Sequence, residues 1–414
     1  MKILPFLSKQ KGQAMFLYMS TLIGLLLGVL SSIINTRFLN PVDYGDVRFV
    51  QNIIQFIASL LLFGYFLSGS RILALSNDKG YSQRVKGCMV SILCITIAVL
   101  MIACYILYIS YLNKPEVAYL FLVSIIVCAN PIIQNYINTT AQGDNQIGRI
   151  SAIRLLPPLF YIPIAYIIYS QIGATSSRMV LLQWGIYTII GVCVVISTKP
   201  KFTDLRPIWE TLKSENKNYG LQLYIGSLVM VTTNYLAGIT LGAFSPDNRE
   251  VGFFTLALTI TSPLAMLPGI IGTTYFKSFS TQSRIPTKVM RYTLLMTIIS
   301  CVLFLIVIKP VVSLLYNNNY SIVGVYASWL AIGYSIHGLG DMINRFLGSH
   351  GRGKEIRNSS IFNGIMKIVG YIVLIYYWGT MGAIITTLCC SFIYTTSLCY
   401  YYYKIVKNGN REIA

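Results

Sequence analysis

The stretch "TRFLNPVDYGDVRFV", Thr36 to Val50, interrupts two long apolar runs. The 25 residues from Gly12 to Thr36 carry no charge, and neither do the 22 from Phe49 to Ser70. Between them stand Arg37, Asp43, Asp46 and Arg48, with Pro41 and Gly45. A transmembrane helix needs roughly 20 mostly apolar residues, so the corner reads as a turn at a membrane surface. Pro41 and Gly45 end one helix and start the next. Asp43 and Asp46 sit just before the second helix, where acids suit its N-terminus. Asp43-x-x-Asp46 could also be a metal-binding pair of a membrane glycosyltransferase, but no further carboxylates support that reading.

The pattern continues along the chain. Of 414 residues, 55% are hydrophobic and 11% charged, with mean hydropathy +0.64; soluble domains carry roughly 25% charged residues. Charge-free runs of span length also lie between Lys86 and Lys114, Glu116 and Asp144, Arg154 and Arg178, Arg178 and Lys199, Lys217 and Asp247, and Glu250 and Lys277. A shorter run follows Arg291, and three more fill the last hundred residues, broken at "YNNNY" (Tyr316–Tyr320) and "WGTMG" (Trp378–Gly382). The backbone must satisfy its own hydrogen bonds in hydrocarbon, so these are helices. The expected fold class is an all-α integral membrane protein with twelve transmembrane helices. The first span is too long for a signal-peptide core and reads as retained. The nine cysteines lie in or beside spans without metal-site spacing and read as small packing residues.

The net charge of +19 suggests nucleic acid until its placement is considered. With the N-terminus taken as cytoplasmic, 25 Lys and Arg fall in inside segments and 6 outside. The inside set includes Lys2, Lys9, Arg71, Arg84, Lys199, Lys213 and Arg411; Lys367 alone lies within a span. The alternation obeys the positive-inside rule and puts both termini in the cytoplasm. The basic balance is topology, with attraction to anionic lipid headgroups as a by-product.

The sequence also repeats at a separation of about 206 residues, the common offset of a set of short internal matches. "INTTAQG" from Ile137 matches "INRFLGS" from Ile343, "AYII" at Ala165 matches "GYIV" at Gly370, and the opening corner matches "AFSPDNREVGFF" around Pro246. Six spans per repeat is even, so both halves insert the same way up. Two six-helix lobes, 1–205 and 206–414, are expected, related by a pseudo-two-fold along the membrane normal. The charged stretch at about 198–218 links them. A cleft lined by spans 1, 2, 7 and 8 would hold the substrate.

"TRFLNPVDYGDV" resembles the first-loop motif of bacterial polysaccharide flippases: an Arg, then Leu-Gly-Pro, an acidic pair and Tyr-Gly. "LLFGYFLSGSRILA" (Leu61–Ala74) is similar to that family's second-helix end, and "YYWGTMGAIITT" (Tyr376–Thr387) to its eleventh-to-twelfth-helix turn. The resemblance spans nearly the whole chain. It implies a Wzx-type O-antigen flippase of the multidrug/oligosaccharidyl-lipid/polysaccharide exporter superfamily, in the bacterial inner membrane. Such a flippase is no enzyme. It moves oligosaccharide on undecaprenyl pyrophosphate between leaflets without a cofactor, coupled to a proton or ion gradient. Membrane lipids, a polysaccharide polymerase and a chain-length regulator are the implied partners. Asn40 stands where the family usually has Gly, and Lys367 where an uncharged polar residue is expected.

Transport of a diphosphate and a hydrated sugar needs cationic, amide and aromatic groups at membrane depth. The candidates for the substrate are Arg37 and Arg48, with Asn35 on span 1, Gln51, Asn52 and Gln55 on span 2, and Asn234 on span 7. The bland alternatives are interhelical hydrogen bonds, worth about 1 kcal/mol each, and snorkelling of the arginines to headgroups. Arg37 has no charged counterpart in the second repeat, where Leu241 or Gly242 takes its place. In the second half His337, Asp341 and Arg345 stack on one helix face at i, i+4, i+8. Lys367 lies roughly 12 Å inside the next span at 1.5 Å per residue. A charge at mid-bilayer costs about 2.5–3.5 kcal/mol, so an Asp341–Lys367 pair is expected, either as a clamp or as a relay with His337. The tyrosines of "CYYYYK" (Cys399–Lys404) read as an interfacial belt. A cation or drug antiporter is the alternative within the superfamily. A membrane polymerase or lipid-linked glycosyltransferase is the different-class alternative, disfavoured by short outer loops.

Overall fold

The computed structural model describes residues 10–76 and 78–409. Lys2, Lys9, Arg411 and both termini, counted in the topology, lie outside them. Every regular element among the described residues is helical. In order these are α1 Gln10–Phe38, α2 Pro41–Leu60, α3 Tyr65–Leu75, α4 Lys79–Ser110, α5 Pro115–Ser124, α6 Asn130–Gly143, α7 Ile147–Ile172, α8 Ser176–Ser197 and α9 Leu205–Glu215. A π-turn at Asn216–Gly220 leads to α10 Leu221–Phe244, α11 Arg249–Thr274, the short α12 Phe276–Phe279, α13 Thr287–Leu315, α14 Ile322–Ser349 and α15 Gly353–Gly409. Among the described residues, eight helices are long and apolar enough to cross a membrane, or up to ten if each of two bent pairs counts as one span. The chain is thus an all-α, multi-pass membrane protein. Large apolar side chains such as Ile102, Ile306 and Leu314 face outward, which is the expected arrangement where the solvent is lipid.

The chain forms two compact units, Met1–Tyr235 and Leu236–Ala414. This differs from the expected boundary at 205–206. The linker helix α9 and the start of α10 pack onto the first unit: Tyr224 Oη donates to Leu60 O (2.8 Å) and Asn216 Nδ2 to Phe63 O (3.1 Å). Those carbonyls belong to the break between α2 and α3, where the chain bends by 58°. Phe63 (φ 45°) and Gly64 (φ 79°) are both left-handed there. Gly64 and Gly220 touch so closely that a Cβ on either would lie 2.4–2.5 Å from the other's carbonyl oxygen.

The opening corner is a helix cap. Asn40 Oδ1 accepts from Asp43 N (2.9 Å) and Asn40 Nδ2 donates to Asp43 Oδ2 (2.8 Å). The first bond satisfies one orphan backbone donor at the α2 N-terminus, and the second ties the two side chains together. Asn at this position is therefore a better cap than the Gly it replaces. Asp43 and Asp46 stand inside the first turns of α2 rather than before it.

In the second unit α15 is a hairpin. Fifty-seven residues would extend about 85 Å as one helix, far beyond a hydrocarbon core of about 30 Å. Gly379 breaks it with non-helical φ 53°, ψ −134°. The arms then pair antiparallel: Ser359 with Ser397 (2.8 Å), Tyr371 with Thr387 (3.1 Å), and Gly382 against Leu374. "WGTMG" is the turn that the sequence suggests.

Candidate functional site

Polar groups are buried inside both units. In the first, α1 brings Asn35, fully buried, against α7. Its Oδ1 accepts from Tyr161 Oη, and Tyr161 and Tyr169 share a hydroxyl–hydroxyl bond of 3.1 Å. The two tyrosines and Ala165 form a small core closed by Ile34 and Phe38. Asn35 Nδ2 is buried with no partner among the described residues. A buried donor left unpaired costs about 1–3 kcal/mol.

On α2, Arg48 Nη1 donates to Gln51 Oε1 (2.8 Å), and Gln51 Nε2 to Gln183 Oε1 on α8 (3.3 Å). The guanidinium also lies 4.9 Å from the Tyr44 ring centroid. No carboxylate pairs with Arg48 among the described residues, and its Nε is buried without a partner. Amide and guanidinium donors are thus placed in an apolar setting, where an oxyanion would be held far more strongly than in water.

Of the expected substrate groups, Asn35 stands in the α1–α7 interior, and Arg48 and Gln51 stand together between α2 and α8. Gln55 donates to Gln51 O (3.2 Å) and lines a separate cavity of about 160 Å³ with Ser59, Asn135 and Tyr224. Asn52 is half-buried, and Asn234 is exposed on α10. Arg37 is exposed in the last turn of α1, where a cation complements the helix dipole.

In the second unit, His337, Asp341 and Arg345 do share a face of α14, but they do not act as one cluster. His337 stacks on Tyr394 (4.5 Å). Tyr394 Oη donates to Asp341 Oδ1 (3.1 Å) and accepts from Asn344 Nδ2 (2.8 Å). Arg345 is exposed. Lys367 is half-buried on the first arm of α15, within electrostatic range of Asp341. No Asp341–Lys367 ion pair forms within 4.0 Å, so the expected clamp is corrected. Tyr394, on the opposite arm, takes the carboxylate instead.

The buried phenols Tyr161, Tyr169 and Tyr394 and the amide Gln183 are the residues that sequence reasoning missed. A tyrosine inside an apolar run looks the same whether it faces lipid or a buried asparagine. One signal was present: Tyr161 and Tyr169 are eight residues apart, on one face of α7. The terminal belt is also only partly a belt, because Tyr402 Oη accepts from Ile285 N (3.2 Å) while Tyr400 and Tyr403 face outward.

A family model described as "Polysaccharide biosynthesis protein" matches residues 12–281. Among curated proteins no sequence relative matches. Solved structures match over nearly the whole chain. An inward closed structure of the lipid II flippase MurJ aligns with TM-score 0.72 and 13% identity, covering 95% of this chain and 90% of that one. An inward-facing multidrug resistance MATE family transporter of the MOP superfamily aligns at 0.68 and 14%, covering 94% and 96%. A MOP superfamily transporter from Pyrococcus furiosus aligns at 0.61 and 16%, covering 95% and 96%. At these identities the likeness is one of fold.

Proposed function

The chain belongs to the polysaccharide biosynthesis protein family, and from that premise we propose that it is a flippase for oligosaccharide carried on undecaprenyl pyrophosphate. The family match is the observation that carries this reading. In it, the protein moves an O-antigen-type repeat unit from the inner to the outer leaflet of the bacterial inner membrane. It works by alternating access of two six-helix lobes, driven by a proton or ion gradient, with both termini cytoplasmic. Eight to ten spans among the described residues support this plan; its twelve would take the arms of α15 separately and α5 with α6 as one broken span.

The job is to carry a diphosphate past hydrocarbon without making or breaking a covalent bond. The donors around Arg48 and Asn35 suit the phosphate oxygens, since a guanidinium can hold them bidentately. Gln51, Gln55, Asn52 and Asn234 suit sugar hydroxyls, and Arg37 meets the phosphates at the end of α1. His337, Asp341, Arg345 and Lys367 are assigned to coupling. A drug antiporter has only the MATE fold likeness in its favour. The test is complementation of a flippase-null strain at matched membrane abundance. Arg48→Ala and Arg37→Ala should lose surface polysaccharide, with Lys at either position restoring it in part. Full surface polysaccharide in both alanine variants would remove the arginines from the mechanism.

A further inference from the structure

The first unit holds a second, larger cleft that the proposed mechanism leaves unused. Its volume is about 630 Å³. Its floor is one face of α4: Cys88, Ser91, Ile92, Ile95, Thr96 and Val99. That face runs about 16 Å along the helix at 1.5 Å per residue. One wall is the α2–α3 break, through Leu61, Phe63 and Tyr65; the end is closed by Leu205 and Trp209 of α9, with Trp209 stacked on Tyr65 at 5.5 Å. The lining is almost wholly apolar. Phe63, Ile95 and Val99 remain exposed around it, so it opens sideways, where lipid would lie.

Two further observations identify an occupant. The first is charge. The segment before α9 lies on α4 at the α9 end of the cleft: Lys201 N donates to Gln83 O (2.9 Å), and Arg84 Nη1 is 3.9 Å from Asp204 Oδ2. Arg84 and Arg206 each face a carboxylate there, Asp204 and Glu210 (4.0 Å) respectively, and Lys199 and Lys201 precede Asp204 in the same segment. The occupant is therefore an amphiphile whose apolar chain fills the cleft and whose anionic head meets this basic end. The second is the wall. Leu61, Phe63 and Tyr65 face the cleft, while the alternate residues Leu62, Gly64 and Phe66 line the 160 Å³ cavity that holds Gln55. One thickness of backbone separates the seat of a chain from a polar space inside the unit. A bulk lipid gains nothing from so thin a wall; a substrate that must leave the lipid phase for the interior does.

We propose that this cleft seats the polyprenyl chain of the lipid-linked substrate, with its phosphates at the Arg84–Lys201 end. This rests on the flippase reading for the substrate's identity. The test uses the full chain in phosphatidylethanolamine–phosphatidylglycerol vesicles and two light-activated probes. One is undecaprenyl phosphate with a diazirine in its chain; the other is phosphatidylglycerol with a diazirine in an acyl chain. The polyprenyl probe should label 91–99 and 205–209 in preference to the phosphatidylglycerol probe. Ser91→Trp fills the floor of the cleft. Displacing two methylenes of buried chain should lower that labelling about tenfold. Ile95→Ser, at the most exposed point of that α4 face, should lower it less, and Ile306→Trp on the exposed face of α13 should leave it unchanged. Equal labelling by both probes, no labelling of these segments, or indifference to Ser91→Trp and Ile95→Ser overturns the seat. Labelling needs no translocation. A labelled cleft in a protein that moves nothing would defeat the flippase reading alone, and full translocation with an unlabelled cleft would defeat the seat alone.

Discussion

The two units hold their interior charges differently: the first has a paired cluster beside Arg48, unpaired among the described residues, and the second keeps Asp341 on a phenol. In the first, Lys86 is buried on α4 and pairs with Asp144 at 2.6 Å, which also meets Arg149 at 3.4 Å. Arg149 spends its other nitrogen on Ser197 O (3.1 Å). In the second, Asp341 and Lys367 lie near each other without pairing, and Tyr394 takes the carboxylate. The helix that follows each outer corner shows the same contrast. "DVRFV" (Asp46–Val50) and "EVGFF" (Glu250–Phe254) share an acid, a buried valine and an aromatic. Phe49 packs edge-on against Tyr111, and Phe253 against Tyr320. Arg48 has Gly252 as its counterpart. The shared positions are scaffold; the charge present in only one unit is what the scaffold does not require. A paired buried charge reads as structure, and a lone one as a cost kept for another reason.

The comparison can be broken most easily at Asp144. Asp144→Ala leaves Lys86 buried and facing Arg149, and breaking such a pair costs about 3–5 kcal/mol. A large fall in melting temperature in detergent is expected; an unchanged value would mean that the first unit does not depend on its pairing. Lys367→Met should do the opposite. It removes a charge that costs about 2.5–3.5 kcal/mol at depth, so stability should hold or rise while transport falls. A loss like that of Asp144→Ala would show that Lys367 is structural after all. Tyr394→Phe strands Asp341 and Asn344 together, at about 1–3 kcal/mol, and should be felt in thermal melts of the full chain. The smallest effect is at the corner. Asn40→Ala should cost about 1 kcal/mol and Asn40→Gly only a few tenths; a larger loss for Gly would mean that Asn40 does more than cap α2.

The membrane fold was legible because it depends on the length and spacing of apolar runs. The corner was legible because Pro41 and Asp43 have few alternative uses beside a helix start; Gly45, expected to mark the turn, lies buried inside α2 instead. The Gly379 turn could be read because "WGTMG" breaks the last apolar runs. The site was only half legible. Arg48 and Asn35 stand out as polar residues in apolar runs, but their partners are tyrosines, which the sequence has in thirty copies. The unit boundary was missed because α9 carries its apolar Ile208 and Leu212 within a highly charged stretch, so it looked like a free linker rather than a packed helix. The Asp341–Lys367 pair was inferred from depth alone, and depth does not say which way a side chain turns.

Transport itself is the most direct test. Vesicles holding the full chain and a lipid-linked oligosaccharide in both leaflets are treated from outside with a glycosidase that cannot cross the membrane. With the wild-type protein the whole pool should become cleavable on the time course of the assay, and with Arg48→Ala at equal abundance only the outer-leaflet share. If the inner share stays protected with the wild-type protein under an imposed proton or ion gradient of either sign, the protein is not the flippase proposed here.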